Sequence, residues 1–371
     1  MKIEFSVAEQ ADDAAIRSLL ARNPMPGAVT VAFEREPEYF LGHGVMGDRC
    51  VTVKAVDAEN RELAGVICFA SAPRYVGGSV RPIGYIGQLR IDRRYRGYLL
   101  PMRSVAFLRD LVRTGWPDLW FTALADENPV AVKIFATRPR PSFPPLEFVS
   151  RVQTLGIFTQ PRPQRWHPPQ RGVAIHRGDA GELAPIVQFL RDQGPNREFR
   201  PAYTVEDFAE NNRTPGFSAS DFLVAVDHNE IAGVCGVWDQ SSFKQTVVHG
   251  YRGWLGRARP FLNTIAPVIG MKKLPTAGEE IKSAYLSFLA VRNDDPRIFR
   301  ALLVAAIRSA HAMGKHYLLA GFSERDPLLN VARRFRHLRY RSRMYAYSFN
   351  GTVDPAAYDR ARIPYVEIAA L

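Results

Sequence analysis

The sequence predicts a mixed α/β fold, an α+β arrangement around mixed sheets, in which one domain occurs twice. Three observations carry this. The stretch TQPRPQRWHPPQRG over 159–172 holds four prolines in fourteen residues and divides a 371-residue chain. So many prolines forbid a regular helix and make a poor central strand. The flanking segments share a hairpin signature, Glu62-Leu63-Ala64-Gly65-Val66 and Glu230-Ile231-Ala232-Gly233-Val234, 168 residues apart. Strand and helix patterns then follow in the same order on both sides, the mark of a duplication.

In the first half, the alternation Ile3-Glu4-Phe5-Ser6-Val7 reads as a strand and ADDAAIRSLLAR over 11–22 as an amphipathic helix. A helix is expected over 33–41, followed by a flexible glycine-rich segment, Gly42-His43-Gly44-Val45-Met46-Gly47, that lines substrate. That segment lacks the lysine of a phosphate loop. Two apolar runs around a polar turn make 50–70 a hairpin. Leu89-Arg90-Ile91 opens a helical stretch over 98–113, and a strand follows over 119–124.

Beyond the linker the series restarts. Val173-Ala174-Ile175-His176 is a strand, and Leu183, Ile186, Val187 and Leu190 fall at helical spacing. Residues 221–238 form the second hairpin, Leu289-Ala290-Val291 the long strand, 297–313 a helix and 317–322 a strand. The offset between halves grows from 168 to 200 residues, which places an insertion at about 241–277. The expected boundaries are therefore 1–158, a linker over 159–172, a second domain over 173–350 and a tail over 351–371.

Composition bounds the function. The chain is 46% hydrophobic and 23% charged, too apolar for a disordered protein. No run of about 18 uncharged apolar residues suits a membrane span. The opening MKIEFSVAEQADD has glutamates where a secretory signal needs apolar residues, so a cytoplasmic protein is expected. Cys50, Cys68 and Cys235 make neither a disulfide framework nor a zinc spacing, and the eight histidines show no ligand spacing, so no metal is expected. The net charge of +12 favours anionic ligands. Eight arginines fall in 81–113, and six more in 331–344 with no acid among them.

Leu89-Arg90-Ile91-Asp92-Arg93-Arg94-Tyr95-Arg96-Gly97 resembles the fourth strand and diphosphate-loop approach of the GCN5-related N-acetyltransferase superfamily. Glu127-Asn128-Pro129-Val130-Ala131 resembles the Asn-x-x-Ala opening of the helix after its fifth strand. The resemblance spans most of both halves, without the linker, insertion and tail. It implies two tandem domains with a splayed mixed sheet. It also implies acetyl-CoA or another acyl-CoA between strands four and five, and direct transfer of an acetyl or short acyl group to an amine.

The cofactor-binding residues it implies are Leu89, Arg90, Ile91, Arg94, Arg96, Gly97, Tyr98, Leu99, Arg103 and Asn128. Leu99 and Pro101 stand where the family usually has glycine, and Pro101 has no N–H to give a phosphate. In the second half, Asp294 and Asp295 would oppose a diphosphate, and Asp294-Asp295-Pro296 reads as a helix cap. The family's acid tyrosine, seven residues after the asparagine, falls on Phe135. Tyr85, Gln88 and Glu127 are the substitute candidates for catalysis.

An N-acyltransferase acting on a small-molecule or peptide amine is the leading expectation. A non-catalytic ligand-binding protein of the same fold is the first alternative. An acyl or aminoacyl transferase drawing on transfer RNA or a carrier protein is the second. Nucleic acid and carrier protein are not favoured as partners, and a membrane is not expected.

Overall fold

A computed structural model describes residues 2–98, 100–113, 115–126, 128, 144–160, 172–210, 213–266, 272–354 and 356–371. The first half runs β1 (Ile3–Val7), α1 (Asp13–Arg22), β2 (Val29–Glu34), α2 (His43–Met46), β3 (Arg49–Asp57), β4 (Leu63–Val76), β5 (Ser79–Ile91), α3 (Leu100–Arg103), α4 (Val105–Val112), β6 (Trp120–Ala125) and β7 (Glu147–Phe158). The second opens with β8 (Ala174–Arg177), α5 (Leu183–Gln193), β9 (Arg197–Glu198), α6 (Val205–Ala209), β10 (Phe222–Asp227) and β11 (Glu230–Trp238). It closes with β12 (Gln245–Tyr251), α7 (Gly253–Ile265), β13 (Ser283–Val291), α8 (Pro296–Ala312), β14 (Tyr317–Ser323), α9 (Leu328–Ala332), β15 (His337–Tyr347) and β16 (Ile363–Pro364).

Twelve strands form one mixed sheet in the order β1-β3-β4-β5-β6-β15-β7-β14-β13-β11-β10-β8. The halves are joined by exchange at the centre. β15 of the second half pairs with β6 of the first, while β7 of the first pairs with β14 of the second. Each half therefore completes the other's sheet, and neither leaves an open edge there.

The hairpins arise as their turn residues demand. His228 and Asn229 take φ of 51° and 68° between β10 and β11, and Gly77 and Gly78 take 59° and 83° between β4 and β5. Positive φ at both central turn residues matches the right-handed twist of the strands. α8 buries Ile298, Phe299, Leu302, Leu303, Ala306 and Ala310 on one stripe. Its start is capped by Asp295, whose Oδ1 accepts from the Arg297 N–H at 2.7 Å, with Pro296 in the first turn. α1 buries Ile16, Leu19 and Leu20 in the same manner. Full burial of each large apolar side chain is worth roughly 1.5–3 kcal/mol, and this fixes both helices on the sheet.

Two expectations change. Residues 33–41 are helical only at their end, where Tyr39–Gly42 makes a 3-10 turn; Phe33 and Glu34 belong to β2, held antiparallel by β12 of the insertion from Val29↔Tyr251 to Glu34↔Gln245. The β-branched run Val29-Thr30-Val31 favours that pairing. Within 42–47, His43–Met46 forms the short helix α2 rather than an open loop. The insertion thus ties the halves together a second time. No helix among the described residues is long and apolar enough to cross a membrane.

Candidate functional site

β5 and β6 are parallel and pair only at Gly84↔Trp120, Tyr85↔Phe121 and Ile86↔Thr122. Gly84 permits the approach, since a Cβ there would lie 2.2 Å from the Trp120 ring. Beyond Ile86 the strands part. On the other side of β5, the register with β4 slips between Val66 and Cys68, and Gln88 takes a φ of 54°. A left-handed non-glycine residue inside a strand is a strained bulge, and bulges re-aim the groups beside them.

A cavity of about 370 Å³ occupies the gap between the parted strands. It passes through the sheet. Cys68 and Phe69 are successive residues of β4, so they point to opposite faces and fall in different apolar clusters. Of the cavity lining, Leu108, Tyr347 and Phe349 belong with Phe69, while Tyr85, Tyr285, Leu319 and Ile368 belong with Cys68.

The second half repeats this geometry and fills it at the bulge. β13 and β14 pair only at Ser283↔Tyr317, Ala284↔Leu318 and Tyr285↔Leu319. The register slips between Val234 and Gly236, and Phe288 takes a φ of 55°. Phe288 packs against Tyr203, Phe208, Phe217, Phe222 and Trp238 with ring centroids 4.9 to 5.6 Å apart. Its N–H donates to Glu367 Oε2 at 2.9 Å. Ile368 presses so closely on Gly321 that a Cβ there would lie 2.3 Å from it. Aromatic side chains and the segment 363–371 thus fill this slot at the bulge, and beyond it lies a cavity of about 380 Å³ lined by Leu289, Val291, Asn293 and Asp294 with Arg197 and Asp326.

The open slot is basic. Arg35, Arg90 and Lys244 all line it. Arg35 Nη1 donates to the Glu34 carbonyl at 3.2 Å, and Arg90 Nη1 to the Leu89 carbonyl at 2.9 Å. Lys244 Nζ donates to the carbonyls of Ala369 and Leu371 at 3.1 and 3.0 Å. Burial lowers the pKa of all three, Arg90 to about 10 and Lys244 well below the usual lysine range, with repulsion from Arg35 adding to both. Burial pushes the hydroxyl pKa up at Tyr85, and at Tyr285 to about 12, so both stay protonated at neutral pH.

Tyr85, Gln88, Leu89, Arg90 and Asn128 line the cavity, as do Pro101 and Ser104 at the start of the α3–α4 region. Gln88 Nε2 donates to Met46 Sδ at 3.2 Å, and its buried Oε1 has no hydrogen-bond partner. The remaining expected cofactor residues sit on the strand end and loop beyond. The Ile91 carbonyl accepts from Arg96 Nε at 3.3 Å. Arg94 pairs with Glu62 at 2.6 Å and Asp92 at 3.2 Å, so two carboxylates already meet its charge. Arg96, Tyr98 and Arg103 are exposed, and Gly97 takes a φ of 101°. Leu99, Glu127 and Phe135 lie outside the described residues.

Sequence reasoning missed Arg35, Lys244, Tyr285 and the segment ending at Leu371. Arg35 fell in the expected helix, Lys244 in the insertion and Leu371 in the tail; no local pattern links them. It also missed that His43, Cys50 and Cys68 bring ligand atoms within 4.8 Å of one another. Arg35 lies close enough to lower the His43 pKa, which burial carries down to about 4, and the same charge opposes a cation there. Of the basic cluster near the end of the chain, Arg343 pairs with Asp126 at 2.7 Å, a contact that supports the β6–β15 exchange.

No family model and no curated protein matches the chain in sequence. Solved structures do match in shape. A GCN5-related N-acetyltransferase from Sphaerobacter thermophilus aligns at a TM-score of 0.59 and 12% identity, covering 96% of this chain and 98% of that one. The N-myristoyltransferase of Saccharomyces cerevisiae, solved with bound myristoyl-CoA, aligns at 0.61 and 11% identity, covering 98% and 89%. A probable N-acyltransferase from Enterococcus faecalis aligns at 0.51 and 10% identity, covering 94% and 73%. At such identities the likeness concerns shape. Covering nearly the whole chain, it shows that this chain has the GCN5-related N-acetyltransferase fold, and the splayed and bulged strand pair occurs in each half.

Proposed function

We propose that the chain transfers an acyl group from coenzyme A to an amine in the slot of its first half. One observation carries the reading: of two equivalent splayed strand pairs, the first is open at its bulge and lined there by Arg35 and Arg90, while the second is filled at its bulge by Phe288, Glu367 and Ile368, and the cavity beyond it holds Asp294 and Asp326, which pair with Arg197. The likeness in shape to an N-acetyltransferase and an N-myristoyltransferase supports it.

The residues present fit a thioester donor. Pro101, Ser104 and Leu108 of the α3–α4 region wall the slot on the face that would take the pantetheine arm. The exposed Arg96 and Arg103 offer charge to phosphates at the rim. When bound, the thioester supplies the acyl group. The main chain at the Gln88 bulge presents amide groups beside the slot, suited to a developing oxyanion. Tyr85, kept protonated by burial, can donate a hydrogen bond to the departing sulfur. A free thiol titrates at about 8.5, so the thiolate leaves without strong acid catalysis, and holding the reactants together is the larger contribution.

Calorimetry with acetyl-CoA and longer acyl-CoAs tests the reading, with Ala123→Trp as the blocking variant, because Ala123 lines the cavity from β6. Wild-type protein should bind and the blocked variant should not, at equal melting temperature. Absence of heat and of thermal shift at millimolar ligand on wild-type protein would remove the reading. Acceptor-dependent thiol release, with acylated product identified by mass, establishes turnover. Release only with charged transfer RNA or acylated carrier protein would replace coenzyme A as the donor.

A further inference from the structure

We propose that the acceptor amine carries a carboxylate, and that Arg35 and Arg90 hold it on the sheet face opposite α4. This rests on the acyl-transfer reading above. Arg35 is 6% exposed, and its side chain reaches the cavity from the loop after β2. Arg90 reaches it from beyond the Gln88 bulge, with its guanidinium 5.9 Å from the Phe33 ring centroid.

A guanidinium has five N–H donors. Each arginine side chain donates one hydrogen bond, in both cases to the carbonyl of its own preceding residue. Among the described residues, no ion pair includes Arg35 or Arg90. The acid that most lifts Lys244 is Glu367, and that carboxyl is engaged by the Phe288 N–H and the Tyr365 hydroxyl, both at 2.9 Å. Lys244 is itself occupied with the main chain of Ala369 and Leu371, so it adds field and the arginines are left to bind.

Buried like charges are costly unless an anion completes them. A planar carboxylate matches the arginine fork. The surroundings oppose a cationic acceptor: Arg90 and Lys244 lie close enough to Arg35 to be repelled by it, and Tyr39, Tyr85 and Tyr285 beside them are kept protonated by burial. The apolar walls, Met25, Phe33 and Leu319 among them, suit an aliphatic or aromatic side chain beside the carboxylate. The class of acceptor is therefore an apolar α-amino acid or a comparable amino carboxylate. In the reaction its nitrogen forms the amide bond as the carbon–sulfur bond breaks. The amine proton goes to solvent, and sulfur leaves as the coenzyme A thiolate.

Thiol release from acetyl-CoA is measured on the full chain with L-leucine and L-phenylalanine against their carboxamides. Rates are compared per unprotonated amine, because amidation acidifies the ammonium. The acids should exceed the amides at least about tenfold in kcat/KM, and Arg35→Gln or Arg90→Gln should shrink that ratio to about twofold. Amides that match or exceed the acids on wild-type protein would overturn the proposal. A preference for succinyl-CoA over acetyl-CoA with neutral amines would also overturn it, by placing the carboxylate on the donor.

Binding separates this proposal from the reading beneath it. N-acetyl-L-leucine should bind wild-type protein at least about tenfold more tightly than N-acetyl-L-leucinamide, by calorimetry, whether or not turnover occurs. Equal affinity sinks the carboxylate site. A clear difference without thiol release for any acceptor sinks the acyl-transfer reading and leaves the site standing.

Discussion

Gly84→Ala tests whether the meeting point of β5 and β6 sets the open slot. The new Cβ would stand 2.2 Å from Trp120 Cδ2 and Cε3, where ordinary contacts begin at 3.4 Å. Neither partner can yield easily. Gly84 is fixed by pairing with Trp120 and by its N–H bond to the Leu119 carbonyl at 3.0 Å. Trp120 is 1% exposed and wedged among Phe69, Trp116 and Phe349, with ring centroids 5.5 to 5.9 Å away. Overpacking of this kind costs about 1–3 kcal/mol, and a clash this deep belongs at the upper end. The assay is urea unfolding followed by fluorescence and far-ultraviolet circular dichroism, comparing midpoints at unchanged slope. Trp120→Leu removes the obstructing ring, so the double variant should be more stable than the sum of the two single losses allows, by at least about 1 kcal/mol. A Gly84→Ala protein as stable as wild type, or a cycle that is simply additive, would refute the account of why the strands meet there and part beyond.

Glu367→Gln should alter how stability depends on pH. Burial raises the carboxyl above its ordinary 4.5, so the folded state holds its proton longer than the unfolded state. Wild-type stability therefore falls as pH rises from about 4.5 through the raised value, while the glutamine stays neutral. Unfolding midpoints from about pH 5 to 8 should diverge in favour of the variant; parallel curves would contradict this. Asp92→Ala should cost about 1 kcal/mol, a typical loss for a capping side chain. Asp92 accepts from the Arg94 N–H at 3.0 Å and pairs with Arg22 at 2.9 Å. Burial works against ionisation there, yet the hydrogen bonds from Arg94 and Arg22 hold the carboxyl at about 2. Its contribution is present above about 3.8 and lost as pH falls through 2, and a variant as stable as wild type at pH 6 would remove that role.

The sequence by itself determined the elements whose signals are local. Period and turn chemistry made α1, both hairpins and the β13–α8–β14 run legible, because strand alternation and helical spacing are written in neighbouring residues. The same holds for Asp295-Pro296, where capping needs only adjacent positions. The resemblance around Leu89 to Gly97 begins in β5, and Tyr85, Gln88, Leu89 and Arg90 all line the cavity beside that strand.

What joins distant segments was decided only in three dimensions. β2, whose last two residues fall in an expected helix, has no strand reading until β12, more than 200 residues later, supplies its partner. The exchange of β15 and β7 depends on which edges lie open once both halves have formed. The two bulges, at Gln88 and Phe288, have equivalent geometry. Their fates differ because Phe288 and the segment around Glu367 find an apolar cleft to fill, while Gln88 faces a gap lined by Arg35 and Lys244. Burying those charges around one cavity is a tertiary event: no single segment holds more than one of them, so no local pattern could announce the site.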